Sequence, residues 1–460
     1  MQVSHAASRL SASFTDPNLI ASAGLVPLVR LAQRCALAVL IRRHVKLGVS
    51  TGANPAEKAM TLLAAMCAGA GCIENCDMLR TGATSRLFAG IYAPSTLGSF
   101  LRCFTHGHVR QLQAAARRFT GNLIAHAGLI PPGEPIVHLD IDSKVKQVYG
   151  PAKQGASFGY TKVRGLHFQI VTASTPRSRP VVVATRLRKG AAGSGKGADT
   201  LIAEAIGAVR EAGITATILV RADSAFFCAK VVKAIRDQGA LFSITVGNTK
   251  RIRAAIAQVP EHAWTPIKYR DAVWDHDEGR WNSEAVIAEI EYTAFTAKKK
   301  SLHVTARLIV RRVKRLNPAT VPEGQGELFA AHRHHAFLTN NRLVIDQAEP
   351  GHRAHAVIEQ IFSDLEDGPL AHLPSGKFNA NAAWLTLAAI SYNLTRAAGT
   401  LASAFHAKAT GSTIRRTLIN IPARIATSAR RIHLHLPEHW PWADDFTDLL
   451  TATGHQPLTT

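Results

Sequence analysis

Paired cysteines, a membrane-length apolar run and an apolar leader are what this chain lacks. Its 460 residues hold six cysteines, Cys35, Cys67, Cys72, Cys76, Cys103 and Cys228, five of them before residue 104. There is no CxxC pair. Cys72 and Cys76 could share one helix face, but no His pair follows at zinc-finger spacing. These absences argue against a disulfide scaffold or a zinc finger, and for reduced, part-buried thiols in a cytosolic compartment. The opening text MQVSHAASRLSASF has no apolar stretch with a small-residue cleavage site behind it, so no secretory leader is expected. The most apolar early run, residues 19–41, is broken by Arg30 and Arg34 and is too interrupted to span a membrane. Acids are scarce beside bases, 32 against 54, which leaves a formal charge of +22 and a pI near 10.2. Such an excess suits a polyanion, nucleic acid first, and a place on the nucleoid. A ribosome-associated or membrane-surface role is what charge alone leaves open. No internal repeat or low-complexity segment is present. With 47% apolar residues the chain is globular, and it is long enough for several domains.

Residues 16–130 read as helical. LVRLAQRCALAVLI and AEKAMTLLAAMCAGA carry apolar residues at helical spacing. YAPSTLGSFLRCF reads as a helix start, with Pro94, then Ser95 as N-cap, then Leu97, Phe100 and Leu101 on one face. Thr96, Ser99 and Arg102 would project elsewhere. Such a helix suits a major groove; it equally suits the surface of a bundle.

The texture changes after LIPPGEP. In IVHLDID (136–142), Val137, Leu139 and Ile141 alternate with His138, Asp140 and Asp142. Extended stretches follow at 161–175 and 180–187, with short linkers that favour antiparallel pairing. Residues 198–212 read as a helix, 215–224 as a buried strand, AKVVKAIRDQG as a helix ending at Gly239, and LFSITVGN as another strand. Three strands, helix, strand, helix, strand is the order of a ribonuclease-H-like α/β fold with a mixed five-stranded sheet.

That divides the chain into an all-α region at 1–130, a first core part at 131–249, a β-rich insertion at 250–345, a second core part at 346–405, and C-terminal strands with a tail at 406–460. In the insertion, SLHVTARLIVRRV reads as a strand with one apolar and one basic face. Lys298, Lys299, Lys300, Arg307, Arg311 and Arg312 on and beside it would track phosphates.

GAAGSGKG places Gly190, Gly195 and Lys196 at the spacing of a phosphate-binding loop. The next position needs Ser or Thr to reach Mg²⁺, and it is Gly197. The preceding strand is also the third of an antiparallel set. A P-loop ATPase is therefore the lesser reading, and no nucleotide cofactor is expected. The loop is more simply a basic connector that can touch a DNA phosphate.

Three acids could meet. Asp140 and Asp142 share a face of the first strand, and Asp223 ends the fourth, its neighbour in the proposed sheet. Glu359, offset from a Val357–Ile361–Leu365 stripe, is the best third acid, since Asp364 and Glu366 point elsewhere. Convergent carboxylates repel one another, and hard oxygen donors select Mg²⁺ or Mn²⁺ to relieve that. Two such ions suit in-line phosphoryl displacement.

At HLDIDSKVKQVYGPAKQGASFGYTKVRGLH, LVRADSAFF and HRAHAVIEQIFSDLEDGPLAHLPSGKFNANAAWLTLAAISYNLTRAAG the chain resembles the DDE transposases of bacterial insertion sequences, in the branch with a β-rich insertion before the final glutamate. The resemblance implies a two-metal site of Asp142, Asp223 and Glu359, with Asp140 as the alternative first acid. It implies binding of double-stranded DNA at inverted-repeat ends, cleavage, strand transfer, and a homodimer in the DNA complex. The related pattern Y-x2-R-x3-E-x6-K falls on His352, His355, Glu359 and Glu366. His352 and His355 would then take over phosphate contacts, with Arg353 and Lys377 as further cations, while Glu366 would repel a phosphate. A degenerate, non-catalytic DNA-binding protein is the alternative.

Overall fold

The computed structural model describes residues 9–48, 50–267, 274–275, 280–281, 285–314, 332–429 and 431–455, so part of the insertion expected at 250–345 lies outside the described residues. A short strand, β1 (Leu19–Ile20), precedes six helices: α1 (Leu25–Arg34), α2 (Leu37–His44), α3 (Pro55–Cys67), α4 (Thr84–Leu87), α5 (Pro94–Arg102) and α6 (His106–Ala127). In α5 it is Pro94 that takes the first helical position and Ala93 the cap, so Ser95 lies inside the first turn and does not cap it. The fixed φ of proline suits that position, which is why it displaces the serine.

The sheet follows. Its first part is β2 (Ile136–Gln147), β3 (Ser157–Phe158), β4 (Arg164–Ser174) and β5 (Val181–Lys189), then helix α7 (Ala198–Glu211), β6 (Thr217–Ala222), α8 (Ala229–Asp237) and β7 (Leu241–Val246). β2 pairs antiparallel with β4, and β4 with β5, while β6 joins β2 and β7 joins β6 in parallel. The order β5-β4-β2-β6-β7 is the expected one. The alternation in β2 sets Val137, Leu139 and Ile141 fully inside the core.

The sheet does not stop at five strands. After α9 (Lys250–Ile256) come β8 (Thr265–Ile267), the short pair β9 (Trp274–Asp275) and β10 (Arg280–Trp281), β11 (Ala285–Ala294), β12 (Val304–Lys314) and β13 (His332–Thr339). β13 pairs antiparallel with β7, and the ladder continues through β12 and β11 to β8. The insertion therefore extends the central sheet, because β7 would otherwise present an unpaired edge.

The chain closes with α10 (Ile345–Arg353), α11 (Val357–Glu366), α12 (Phe378–Ala402), α13 (Ala404–Lys408), α14 (Gly411–Ile414), β14 (Ala423–Ser428), β15 (Arg431–His435) and α15 (Ala443–Ala452). α12 is buried over nearly its whole surface, as a helix apolar all round must be. Its Asn393 accepts from the Val182 N–H at 2.8 Å and donates to the Val182 carbonyl at 2.7 Å, which seals the β5 edge. α6 and α3 pack on the same helix. One apolar core consequently runs from Leu25 through β2, β4 and β6 to Phe446. The helical region at 1–130 is built onto the sheet through α12 rather than standing apart from it.

Candidate active site

The register of β2 and β6 does the first assembly. Asp140 lies beside Arg221 and Ile141 beside Ala222, and the same register continued by one residue sets Asp142 beside Asp223. Paired strands are about 4.8 Å apart. Asp223 leaves the strand and turns, its carboxylate accepting from the Ala225 N–H at 3.0 Å. α11 crosses over β2, with Glu359 exposed in its first turn. The buried stripe that seats α11 is Ile358, Ile361, Phe362 and Leu365, so Val357 is not part of it.

Asp142 lies within electrostatic reach of the other two acids. Burial first, then the charges of Asp223 and Glu359, push the Asp142 carboxyl up to about 6, against a hydrogen bond from the Ser143 N–H and the attraction of His355. Burial also raises Asp223, opposed by the Ala225 N–H and by His355. Asp142 therefore feels both Asp223 and Glu359, and His355 acts on both aspartates.

Asp140 is a different kind of acid. It is fully buried, and Arg221 grips it with two hydrogen bonds of 2.7 Å each. His355 Nδ1 lies 3.1 Å from the same carboxylate, which can only accept, so Nδ1 carries the proton. Burial alone would raise Asp140, but Arg221 and His355 hold it below the usual carboxylate range. Its oxygens are committed, which removes it from the candidate metal ligands. It holds the ring of His355, whose other nitrogen is left for the site. Arg221, which also donates to the Gly351 carbonyl at 2.5 Å, was not singled out in the sequence; a charged residue inside a buried strand was the available signal.

Glu366 does not stand as a bare negative charge. Lys144 Nζ lies 2.5 Å and Lys146 Nζ 3.5 Å from its carboxylate. Both lysines continue the Asp140–Asp142 face of β2, so that face changes from acidic to basic along the strand. The seven residues from Glu359 to Glu366 cover about 10 Å of helix and the four from Asp142 to Lys146 about 13 Å of strand, so the two elements run in step.

Several expected phosphate contacts are occupied. Both ring nitrogens of His352 are taken, by the Ser243 hydroxyl at 2.8 Å and the Thr245 hydroxyl at 2.9 Å, and the ring stacks on Phe337 at 4.1 Å. Burial pushes its pKa down to about 3. It clamps α10 to β7 and has no free nitrogen for DNA. The face of β12 expected to be basic and open is covered by α10, with Ile309, Phe337 and Ala348 in a small core beneath it. There Arg307 bonds Glu289 and donates at 2.7 Å to the carbonyls of Asn341 and Leu343. Arg311 and Arg353 both reach Glu349. On the other face, Arg312 forks onto Glu261 and lies 4.3 Å over the Trp264 ring. These arginines assemble the extended sheet. Lys298, Lys299 and Lys300 remain exposed at the β11–β12 turn. Phe295 at the base of that turn meets Phe227, just past Asp223, at 4.8 Å between ring centres. In α5, Ser95 and Arg102 are exposed, Thr96 is partly so, and Arg102 donates to Ser99 at 3.1 Å.

The glycine-rich connector lies against the site. Ser143 and Ser194 hydroxyls are 2.9 Å apart, and Gln169 Nε2 donates to the Ser194 carbonyl at 2.6 Å. A Cβ on Gly190 would meet the carbonyl oxygens of Gly165 and Ser157 at 2.2 and 2.3 Å, so only glycine lets the chain pass.

A divalent cation suits this set by its chemistry. The donors are hard carboxylate oxygens, and burial with the charges of Asp223 and Glu359 holds Asp142 up to about 6. Among the described residues no three ligand-type side chains stand close enough together to hold an ion.

Fold and site define a class first: a basic mixed α/β protein with two aspartates side by side where the parallel pairing of β2 and β6 ends. The chain belongs to the DDE transposases, since the family model described as Transposase DDE domain group 1 matches residues 3–457, nearly its whole length. A search of curated proteins finds no match. Among the described residues no helix is long and apolar enough to cross a membrane.

Proposed function

We propose that this protein is an insertion-sequence transposase with a ribonuclease-H-like core, and that it binds terminal inverted repeats, cleaves at the element ends and transfers the freed strand to target DNA. The observation that supports this is the β2–β6 register, which sets Asp142 beside Asp223, with both Asp223 and Glu359 acting on the Asp142 carboxyl. Asp142, Asp223 and Glu359 would hold Mg²⁺ or Mn²⁺, which when bound neutralises charge on the reacting phosphate and favours the ionised nucleophile.

The chain's own residues do the rest. Asp223, fixed by its turn, and Asp142, fixed by β2, set the floor of the site. Glu359 closes it from α11. His355, oriented by Asp140, would meet a non-bridging phosphate oxygen through its second nitrogen when the ring carries both protons. In the first displacement a water oxygen bonds to phosphorus and the bond to the 3′-oxygen breaks, leaving a 3′-hydroxyl and a 5′-phosphate. In the second that hydroxyl attacks a target phosphorus, so one phosphodiester forms as another breaks. Positioning is most of the catalysis. The lysines at 298–300, held beside the Asp223 turn, and the outward side of α5 with Ser95, Thr96 and Arg102 are the DNA contacts this reading needs. Two ends must be held together, which calls for a homodimer on DNA.

The test begins with the flanks of the gene, where inverted repeats supply the substrate. Asp223→Asn and Glu359→Gln should abolish metal-dependent cleavage of a duplex carrying those repeats while binding it as tightly as the unaltered protein. Lost binding in both variants would assign these acids to structure instead. Wild-type protein that binds the ends and never nicks them would favour a non-catalytic binder.

A further inference from the structure

Beyond Asp142 the basic end of β2 opens into a trough. One hollow of about 630 Å³ is lined by Lys146, Tyr149, Lys153, Glu366 and His372. A second, of about 540 Å³, is lined by Tyr149, Phe158, Lys162 and Arg164. The two share Gln147, Val148 and Tyr149, so they form one path with Tyr149 on its divide.

Two exposed aromatic rings, Tyr149 and Phe158, line it, and exposed Tyr160 lies two residues past Phe158 in the chain. Tyr149 is 81%, Phe158 65% and Tyr160 73% exposed. Exposed rings of this size in one stretch are unusual for a surface with no partner. Cations are interleaved with them, Lys153, Lys162 and Arg164, while Lys144 and Lys146 offset Glu366, and Glu74 also lines the first hollow. The turn that presents Tyr149 is held in place, since Arg164 donates to the Gly150 carbonyl at 2.8 Å and the Pro151 carbonyl at 3.0 Å. Lys153 is likewise anchored on the Leu373 carbonyl.

We propose that this trough binds unpaired nucleotides of the DNA strand next to the cleaved phosphodiester, with bases stacked on Tyr149, Phe158 and Tyr160 and phosphates met by the lysines. The inference rests on the transposase reading for which DNA occupies it, and on charge, rings and continuity with the acids for the rest. A duplex hides its base faces in its own stack, so exposed rings have something to gain only from bases out of the stack. The position follows from β2: Lys146 is about 13 Å and Tyr149 seven residues beyond Asp142, a few nucleotides from the acids.

The test uses the full chain, a short oligothymidylate and a blunt duplex of equal length. Tyr149→Ala, and Phe158→Ala combined with Tyr160→Ala, should each weaken oligothymidylate binding about tenfold or more, with duplex binding changed less than about twofold. Tyr149→Phe should bind as the unaltered protein does, because the ring and not the hydroxyl stacks. Equal melting temperatures would show that folding is intact, as expected for exposed rings. Unchanged oligothymidylate affinity, an equal loss on duplex, or a change in self-association without DNA would each overturn the proposal. Asp223→Asn separates the two readings: it should bind oligothymidylate normally even with cleavage gone. If the unaltered protein never cuts its ends, the oligothymidylate measurement still decides the trough.

Discussion

Two aspartates two residues apart should respond to the same substitution in opposite ways. Asp142 in the folded chain is raised from 3.8 to about 6, first by burial and then by Asp223 and Glu359. A raised carboxyl binds its proton more tightly in the native state, so stability from this group falls as pH rises between the unfolded and folded values. At about 1.36 kcal/mol per unit, the ionised Asp142 costs the metal-free native state at most about 3 kcal/mol at neutral pH. Asp142→Asn removes that cost. Unfolding entropy near 2.1 cal/mol/K per residue gives about 1 kcal/mol/K for 460 residues, so the melting temperature should rise by about 1–3 °C. Asp140→Asn works the other way, because it leaves Arg221, with a side chain only 3% exposed, as a buried charge without its partner. Breaking such a pair costs about 3–5 kcal/mol, or a fall of about 3–5 °C. Asp140 has a lowered pKa, so its contribution is present above the unfolded value and is lost as pH falls through the folded one. The assay is a thermal melt of both variants in chelator between pH 4 and 8. The rise for Asp142→Asn should be full above pH 6 and vanish near pH 4. A variant that melts lower than the unaltered protein at pH 7, or a rise that persists unchanged at pH 4, would refute the reasoning.

Other outcomes follow from the same geometry. Alanine at Lys298, Lys299 and Lys300 together should weaken end binding and reduce the salt slope of the binding constant by up to about 3, with melting unchanged. Arg307→Ala should instead lower stability by about 1–3 kcal/mol, since it strands the Asn341 and Leu343 carbonyls, and should leave the salt slope alone; a reduced slope would place Arg307 on DNA. Glu366→Lys should repel Lys144 and Lys146, loosen α11 over β2 and cut cleavage at least severalfold with end binding kept; undiminished cleavage would show that these ion pairs do not position Glu359.

Much of this was legible in the chain. Period-two alternation in IVHLDID is a local property, so it places Asp140 and Asp142 on one strand face without knowledge of neighbours. Strand lengths and short linkers determine the order β5-β4-β2-β6-β7, because close-coupled strands pair antiparallel and helices carry the parallel crossovers. Glu359 follows from its offset from an apolar helix stripe, although the stripe runs through Ile358 and Phe362 rather than Val357.

Tertiary structure decided what those residues do. Asp140 and Asp142 look alike in sequence, and only the register that brings Arg221 alongside makes one a buried anchor and leaves the other to the site. Glu366 reads as a repulsive charge until β2 brings two lysines under it. Arg307 and Arg311 of β12 read as a phosphate track until α10 covers their face, because periodicity reports that a strand has two faces and not what packs on each. The edge of β7 likewise looks like the end of a sheet until β13, nearly a hundred residues later, pairs with it. Patterning along the chain is set by neighbours in sequence, whereas burial and charge pairing are set by neighbours in space.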